Sequence, residues 1–164
     1  MSPKRHPDFV DDWKIEKTRF AVTLAMVGGE QMRGHIFVQP SAYRNMGREE
    51  PADMFNNPEP FFPLAMAGEG SVVLIAKDRV LEVSGIPTPD GDDARRIAVP
   101  VALLQITLVG GETRIGSVLL EVPADRPRVL DFLNHYTDRF VALYAADGVR
   151  LLNRAMIDRV SPLE

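Results

Sequence analysis

Apolar side chains alternate with small or polar ones at Phe20, Val22, Leu24 and Met26, and again at Ala102, Leu104, Ile106 and Leu108. A period of two places such residues on one face of a half-buried strand. Each run leads to a Gly-Gly pair, Gly28-Gly29 or Gly110-Gly111, and then to a second apolar run, Ile36-Phe37-Val38 or Val118-Leu119-Leu120. Glycine accepts the positive φ of a tight turn, so each pair of runs predicts a β-hairpin. Gly34 and Gly116 fall inside the return strands, where glycine marks the bend or bulge that curls a small sheet. The pattern predicts third strands at Phe61–Met66 and Phe140–Ala145, fourth strands at Val72–Ala76 and Val149–Asn153, and short fifth strands at Leu81–Ser84 and Asp158–Ser161. Arg128–Asn134 predicts a short helix with Leu130 and Leu133 on one face, and Pro40–Pro60 an extended loop with at most one helical turn.

The two halves of this pattern match residue by residue. Val27-Gly28-Gly29-Glu30 recurs as Val109-Gly110-Gly111-Glu112 at an offset of 82, with Gly34 and Gly116 at the same distance beyond. Asp53 and Asn56 then match Asp131 and Asn134, and Phe61 and Leu64 match Phe140 and Leu143. The run from Leu74 through Lys77 to Val80 and Val83 matches that from Leu151 through Arg154 to Ile157 and Val160. An internal duplication accounts for four matches in the same order. The expected fold is mainly β: two tandem five-stranded barrels packed as a pseudo-dimer, with short helices. The first barrel occupies residues 1–85 with an N-terminal helix or arm, 86–97 is a linker rich in turn-formers, and 98–164 is the second barrel. In the arm, Phe9, Val10 and Trp13 recur at helical spacing behind Pro7-Asp8, as a helix that plugs a barrel end would. Units of this size gain from burying a face against a twin.

A hairpin with an internal glycine, a D-x-x-N segment, an F-x-x-L strand and an apolar strand ending in Lys or Arg before I-x-x-V together resemble the Sm-like and SH3-like small barrels, in the duplicated form found in bacterial proteins. The block Leu151-Leu152-Asn153-Arg154-Ala155-Met156-Ile157, and its twin Leu74-Ile75-Ala76-Lys77-Asp78-Arg79-Val80, stand where Sm proteins carry an Arg-Gly pair; here the pair reads Arg154-Ala155 and Lys77-Asp78. The resemblance implies RNA contacts at Asn56, Lys77, Asn134, Asn153 and Arg154. Arg44 and Arg48 have the R-x-x-x-R form with which PilZ-type barrels clamp a cyclic dinucleotide, two guanidinium forks on phosphate. The D-x-S-x-x-G that accompanies it in those barrels is missing.

Composition narrows the chemistry. The 164 residues include no Cys, so thiolate nucleophiles, disulfides and zinc–sulfur sites are excluded, and a cytoplasmic setting is expected. No apolar run reaches the length of a membrane span, and the first residues lack a signal-peptide core. Of 19 basic residues 15 are Arg, yet 23 acids outnumber them. The charge is −2 on either side of Ser84, with 10 bases against 12 acids and then 9 against 11. Such balance disfavours a dedicated nucleic-acid surface. Arg128, Arg139, Arg150, Arg154 and Arg159 interleave with acids and predict a solvated, salt-bridged face.

His6, His35 and His135 have no metal-site spacing, and no Gly-x-Ser-x-Gly elbow occurs, so neither a metal, a cofactor nor a catalytic group is expected. Asp53 and Asp131 would be the first acids to consider in an enzyme. The sequence thus points to a non-enzymatic binding or scaffold protein acting through barrel edges and loops. Its expected partner is a protein or a second copy, with a homo-oligomer, foremost a dimer, as the outcome. RNA binding is the alternative and cyclic dinucleotide binding a second one.

Overall fold

The computed structural model describes residues 18–38, 49–68, 70–88, 99–120 and 128–163. The N-terminal helix, the Arg44 and Arg48 pair, His6 and most of the 86–97 linker lie outside the described residues. The first half contains β1 (Thr18–Met26), β2 (Gln31–Val38), α1 (Pro51–Asn56), β3 (Phe61–Met66), β4 (Val72–Ala76), a 3-10 turn (Lys77–Arg79) and β5 (Val80–Ile86). The second half follows the same order: β6 (Val101–Leu108), β7 (Thr113–Leu119), α2 (Val129–His135), β8 (Phe140–Ala145), β9 (Gly148–Asn153), a 3-10 turn (Arg154–Met156) and β10 (Ile157–Pro162).

The ten strands of the described residues join one antiparallel sheet in the order β10-β6-β7-β8-β9-β5-β1-β2-β3-β4. The expectation of two closed barrels is therefore corrected to a single open sheet. The reason lies in the free edge of β5. Its backbone N–H and C=O groups need partners when buried, and β9 of the other half supplies them, with Glu82 opposite Leu152, Val83 opposite Leu151 and Ile86 opposite Val149. The fifth strand of one half thus meets the fourth of the other, a head-to-tail arrangement.

Two glycines let this sheet fold over itself. β2 pairs with β1 along its length, from Thr18 opposite Val38 to Ala25 opposite Gln31, but meets β3 only at Gly34–Met66 and His35–Ala65. β7 meets β8 only at Ser117–Tyr144. A Cβ on Gly34 would lie 2.3 Å from the Ala65 carbonyl oxygen, and one on Gly116 would lie 2.7 Å from that of Tyr144. The bends expected at these positions are therefore places where the next strand crosses against bare backbone. The hairpin turns have the expected geometry: Gly28 and Gly29 take φ of 104° and 103°, and Gly110 and Gly111 take 105° and 97°.

The folded sheet encloses two cores. Val22, Leu24, Ile36, Phe55 and Leu64 belong to the first; Leu104, Ile106, Val118, Phe132 and Leu143 belong to the second. The cores interlock at the junction. β9 sends Val149 and Leu151 into the first core and Leu152 into the second, while Phe140 of β8 joins the first core, edge-on to Phe55 at 5.5 Å between ring centroids. Neither half closes its core alone.

The helices differ from expectation in detail. Residues 51–56, inside the expected loop, form α1: Pro51 suits its first turn, and the Asp53 carboxylate accepts the Glu50 N–H at 2.9 Å. In α2 and its C-terminal cap the residues facing the core are Val129, Phe132, Leu133 and the capping Tyr136, whereas Leu130 is exposed. The helical period is right, but the apolar stripe starts one residue earlier than the Leu130 and Leu133 pair indicated. No helix of the described residues is long and apolar enough to cross a membrane.

Replacing Gly34 or Gly116 by Ala should destabilise the fold by about 3 kcal/mol, because the added methyl meets backbone that cannot give way. Gly28→Ala, where nothing lies within 4 Å, should cost only about 1 kcal/mol from its positive φ. Urea midpoints check this, and equal losses at both kinds of site would contradict it.

Candidate functional site at the junction

The β5–β9 junction is fastened by side chains as well as by the ladder. Glu82 stands among Val80, Leu81 and Val83 on β5 and is almost wholly buried. Its carboxylate accepts two hydrogen bonds from Arg114 of β7, both 2.8 Å, and one from Arg150 of β9 at 2.9 Å. Burial alone would push the Glu82 carboxyl up, but the hydrogen bonds and charges of the two guanidiniums outweigh it and hold the group below the usual carboxylate range. The same hydrogen bonding raises Arg114 above its ordinary value. Asn56, at the end of α1, makes a two-way contact with β8. Its Oδ1 accepts the Phe140 N–H at 2.7 Å, and its Nδ2 donates to the Phe140 carbonyl at 3.4 Å. Asn153 reciprocates from β9, donating from Nδ2 to the Val80 carbonyl at 2.9 Å and the Asp78 carbonyl at 3.3 Å.

Beside these fasteners lies a polar cavity of about 510 Å³, lined by residues of both halves that include Asn56, Asn57, Asp78, Arg139, Asn153 and Arg154. Arg139 reaches the Asp78 carboxylate through Nε at 3.4 Å, and its buried Nη1 has no hydrogen-bond partner among the described residues. Arg154 donates from Nε to the Asp138 carbonyl at 3.1 Å. Lys77 is fully buried below α1. Its Nζ donates to the Met54 carbonyl at 2.8 Å and to the Asn57 carbonyl and Oδ1 at 3.3 and 2.6 Å. Burial, helped by the charge of Arg139, lowers the Lys77 ammonium to about 8, against the upward pull of Glu59 and Glu49.

Of the five residues marked for RNA contact, Asn56, Asn153 and Arg154 therefore come to one cavity. Lys77 is buried behind it and bonded to α1 and its C-terminal cap. Asn134 is exposed on α2 and takes no part in lining the cavity. Asn56 and Asn153 use their amides to hold the halves together. Arg128 pairs with Asp131 at 3.4 Å and Arg159 pairs with Asp158, as a solvated face would. Arg139 and Arg150 instead turn into the junction, which corrects that part of the expectation. Glu82, the central group, was missed; its one signal was a carboxylate inside an otherwise apolar strand. Asp53 serves as a helix cap, and His135 meets the Asp131 carbonyl at 2.8 Å. No three His, Asp or Glu residues among the described ones converge as metal ligands would.

Glu82→Gln should destabilise the protein by about 3 kcal/mol at neutral pH, since two guanidiniums lose their carboxylate. The folded-state value of this carboxyl lies below its ordinary 4.5, so its contribution is present above that range and is lost as pH falls through it. Urea unfolding of both proteins from pH 7 to 3 should therefore show the gap narrowing below about 4.5. A gap that stays constant would show that Glu82 acts by shape alone. Comparisons of the chain with protein-family models, with curated proteins and with solved structures find no match.

Proposed function

We propose that this is a non-enzymatic binding or scaffold protein that works through strand edges, its halves being duplicated five-stranded units akin to the Sm-like or SH3-like small barrels but opened into one shared sheet. The observation that carries the reading is an uncovered apolar edge. Val72 and Leu74 of β4 are 57% and 69% exposed, while their counterparts on β9, Val149 and Leu151, are 5% and 0% exposed beneath β5. Phe61, at the start of β3, is 58% exposed, while its counterpart Phe140 is buried. An edge strand offers a row of backbone donors and acceptors to an incoming strand, and apolar side chains beside it add affinity and register. The partner in this reading is a protein segment or a second copy of the chain.

A second reading, RNA binding, draws on the cavity. Among the described residues Arg139 Nη1 lacks a hydrogen-bond partner, and Arg154 lies on the same cavity lining, so a phosphate or base edge would find guanidinium donors there. Such binding would weaken steeply with salt.

Light scattering combined with the absorbance ratio of the purified protein tests both readings. For edge binding we expect a mass above the 18.2 kDa monomer or a co-purifying protein, a protein-only spectrum, and loss of the association in Leu74→Lys. A monomer at high concentration with no partner would overturn it. Nucleic-acid absorbance, with a salt-sensitive shift of oligo(U) or oligo(A), would favour RNA instead.

A further inference from the structure

The wall of the polar cavity carries a guanidinium that the fold leaves partly unmet. Arg139 is half-buried there. Its Nε reaches the mostly exposed Asp78 carboxylate only at 3.4 Å, and its buried Nη1 has no partner among the described residues. A buried donor left without an acceptor is a cost that native structures rarely carry without a reason. The fold itself does not call for this side chain. Pro60 holds the same place in the first half: its carbonyl accepts the Lys77 N–H as the Arg139 carbonyl accepts that of Arg154, both at 2.8 Å. Arg139 also bears on Lys77 behind it, whose ammonium is lowered to about 8 by burial first and then by that charge.

Other donors border the same cavity unspent. Arg154 is exposed and, among the described residues, donates only through Nε. Asn57 uses its Oδ1 to accept from Lys77 Nζ and from the Glu59 N–H, which leaves Nδ2 free to donate. Thr137 adds a hydroxyl. Asn56 and Asn153, in contrast, have both ends of their amides committed to backbone. One acceptor stands among the donors. Asp138 holds Arg154 with its backbone carbonyl, and its carboxylate has no partner among the described residues.

We propose that this cavity binds a phosphate group that still carries an acid proton, as inorganic phosphate or as a phosphomonoester in its singly charged form. Arg139 and Arg154 meet its oxygens with guanidinium forks, a small turn of Arg139 bringing Nη1 onto the ligand. Asn57 Nδ2 and the Thr137 hydroxyl add neutral donors, and the Asp138 carboxylate accepts the phosphate's own O–H. That carboxylate decides the ligand. It repels an anion that has no O–H to give, so sulfate and the phosphodiesters of an RNA backbone are disfavoured, while hydrogen phosphate is matched. Asn57 and Asp78 come from the first half, and Thr137, Asp138, Arg139 and Arg154 from the second. A bound phosphate therefore bridges the junction and stabilises the joined sheet. Phosphate binding here is independent of edge binding, and it gives the cavity a different ligand from the RNA reading.

Titration calorimetry and thermal melts of the full chain, at constant ionic strength, test this. Inorganic phosphate should bind saturably and raise the melting temperature, and sulfate should do neither. Glycerol phosphate should bind at about pH 6 and lose at least about tenfold by about pH 8, where its second proton is gone, while inorganic phosphate keeps a proton at both. Arg139→Gln and Arg154→Gln should each weaken phosphate binding at least about tenfold. Arg154 is exposed, so its variant keeps the fold even if the other does not. Asp138→Asn should admit sulfate as readily as phosphate, a change of selectivity that a merely structural role would not produce. Sulfate matching phosphate in the wild-type protein, or phosphate binding unchanged in both arginine variants, would overturn the proposal. If oligo(U) binds while phosphate neither binds nor competes, the proposal falls and the RNA reading stands. Self-association of the chain bears on neither result.

Discussion

The pairing of β5 with β9 is the interaction on which the rest of the molecule depends. Through it the free backbone groups of one half find partners in the other, and the sheet becomes continuous. Each core needs the pairing too, since Val149 and Leu151 complete the first and Leu81 joins the second. A five-stranded unit of this size buries too little surface to be secure alone. Joining two through an edge extends the ladder and covers apolar faces in one step. The buried Glu82 between Arg114 and Arg150 gives the joint a polar lock that only the correct register satisfies.

That dependence explains why several polar residues of the junction look like a ligand site yet serve as structure. Asn56, Lys77 and Asn153 follow or precede apolar runs at the ends of strands and of a short helix, where polar residues commonly face a ligand. Here α1 and the 3-10 turns face the other half, so their amides and ammonium saturate backbone groups across or beneath the joint. What remains for a ligand is the cavity rim, with Arg154 and the partly satisfied Arg139.

The strands were legible in the chain because period-two patterning and glycine placement are local signals. Phe61–Met66, Phe140–Ala145 and Val72–Ala76 have the expected limits, and Gly34 and Gly116 sit where the backbone crosses closely. The head-to-tail joint was not legible. Edge pairing draws on N–H and C=O groups that every residue carries, so no residue type announces which edge meets which. Glu82 carried a faint signal, and its partner Arg114, 32 residues away along the chain, carried none. The buried stripe of α2 was misplaced for a similar reason: Val129 and Leu130 are both apolar, and only the position of the core distinguishes them.

The claim that the two halves form one cooperative sheet is tested most directly by amide hydrogen exchange along β5 and β9. If the junction holds the fold together, the ladder amides of Val83, Leu151 and Leu152 exchange only through global unfolding, as slowly as those of the core strands β1 and β6. Fast exchange confined to β5 and β9, with β1 and β6 still protected, would mean that the halves part without unfolding and would contradict it.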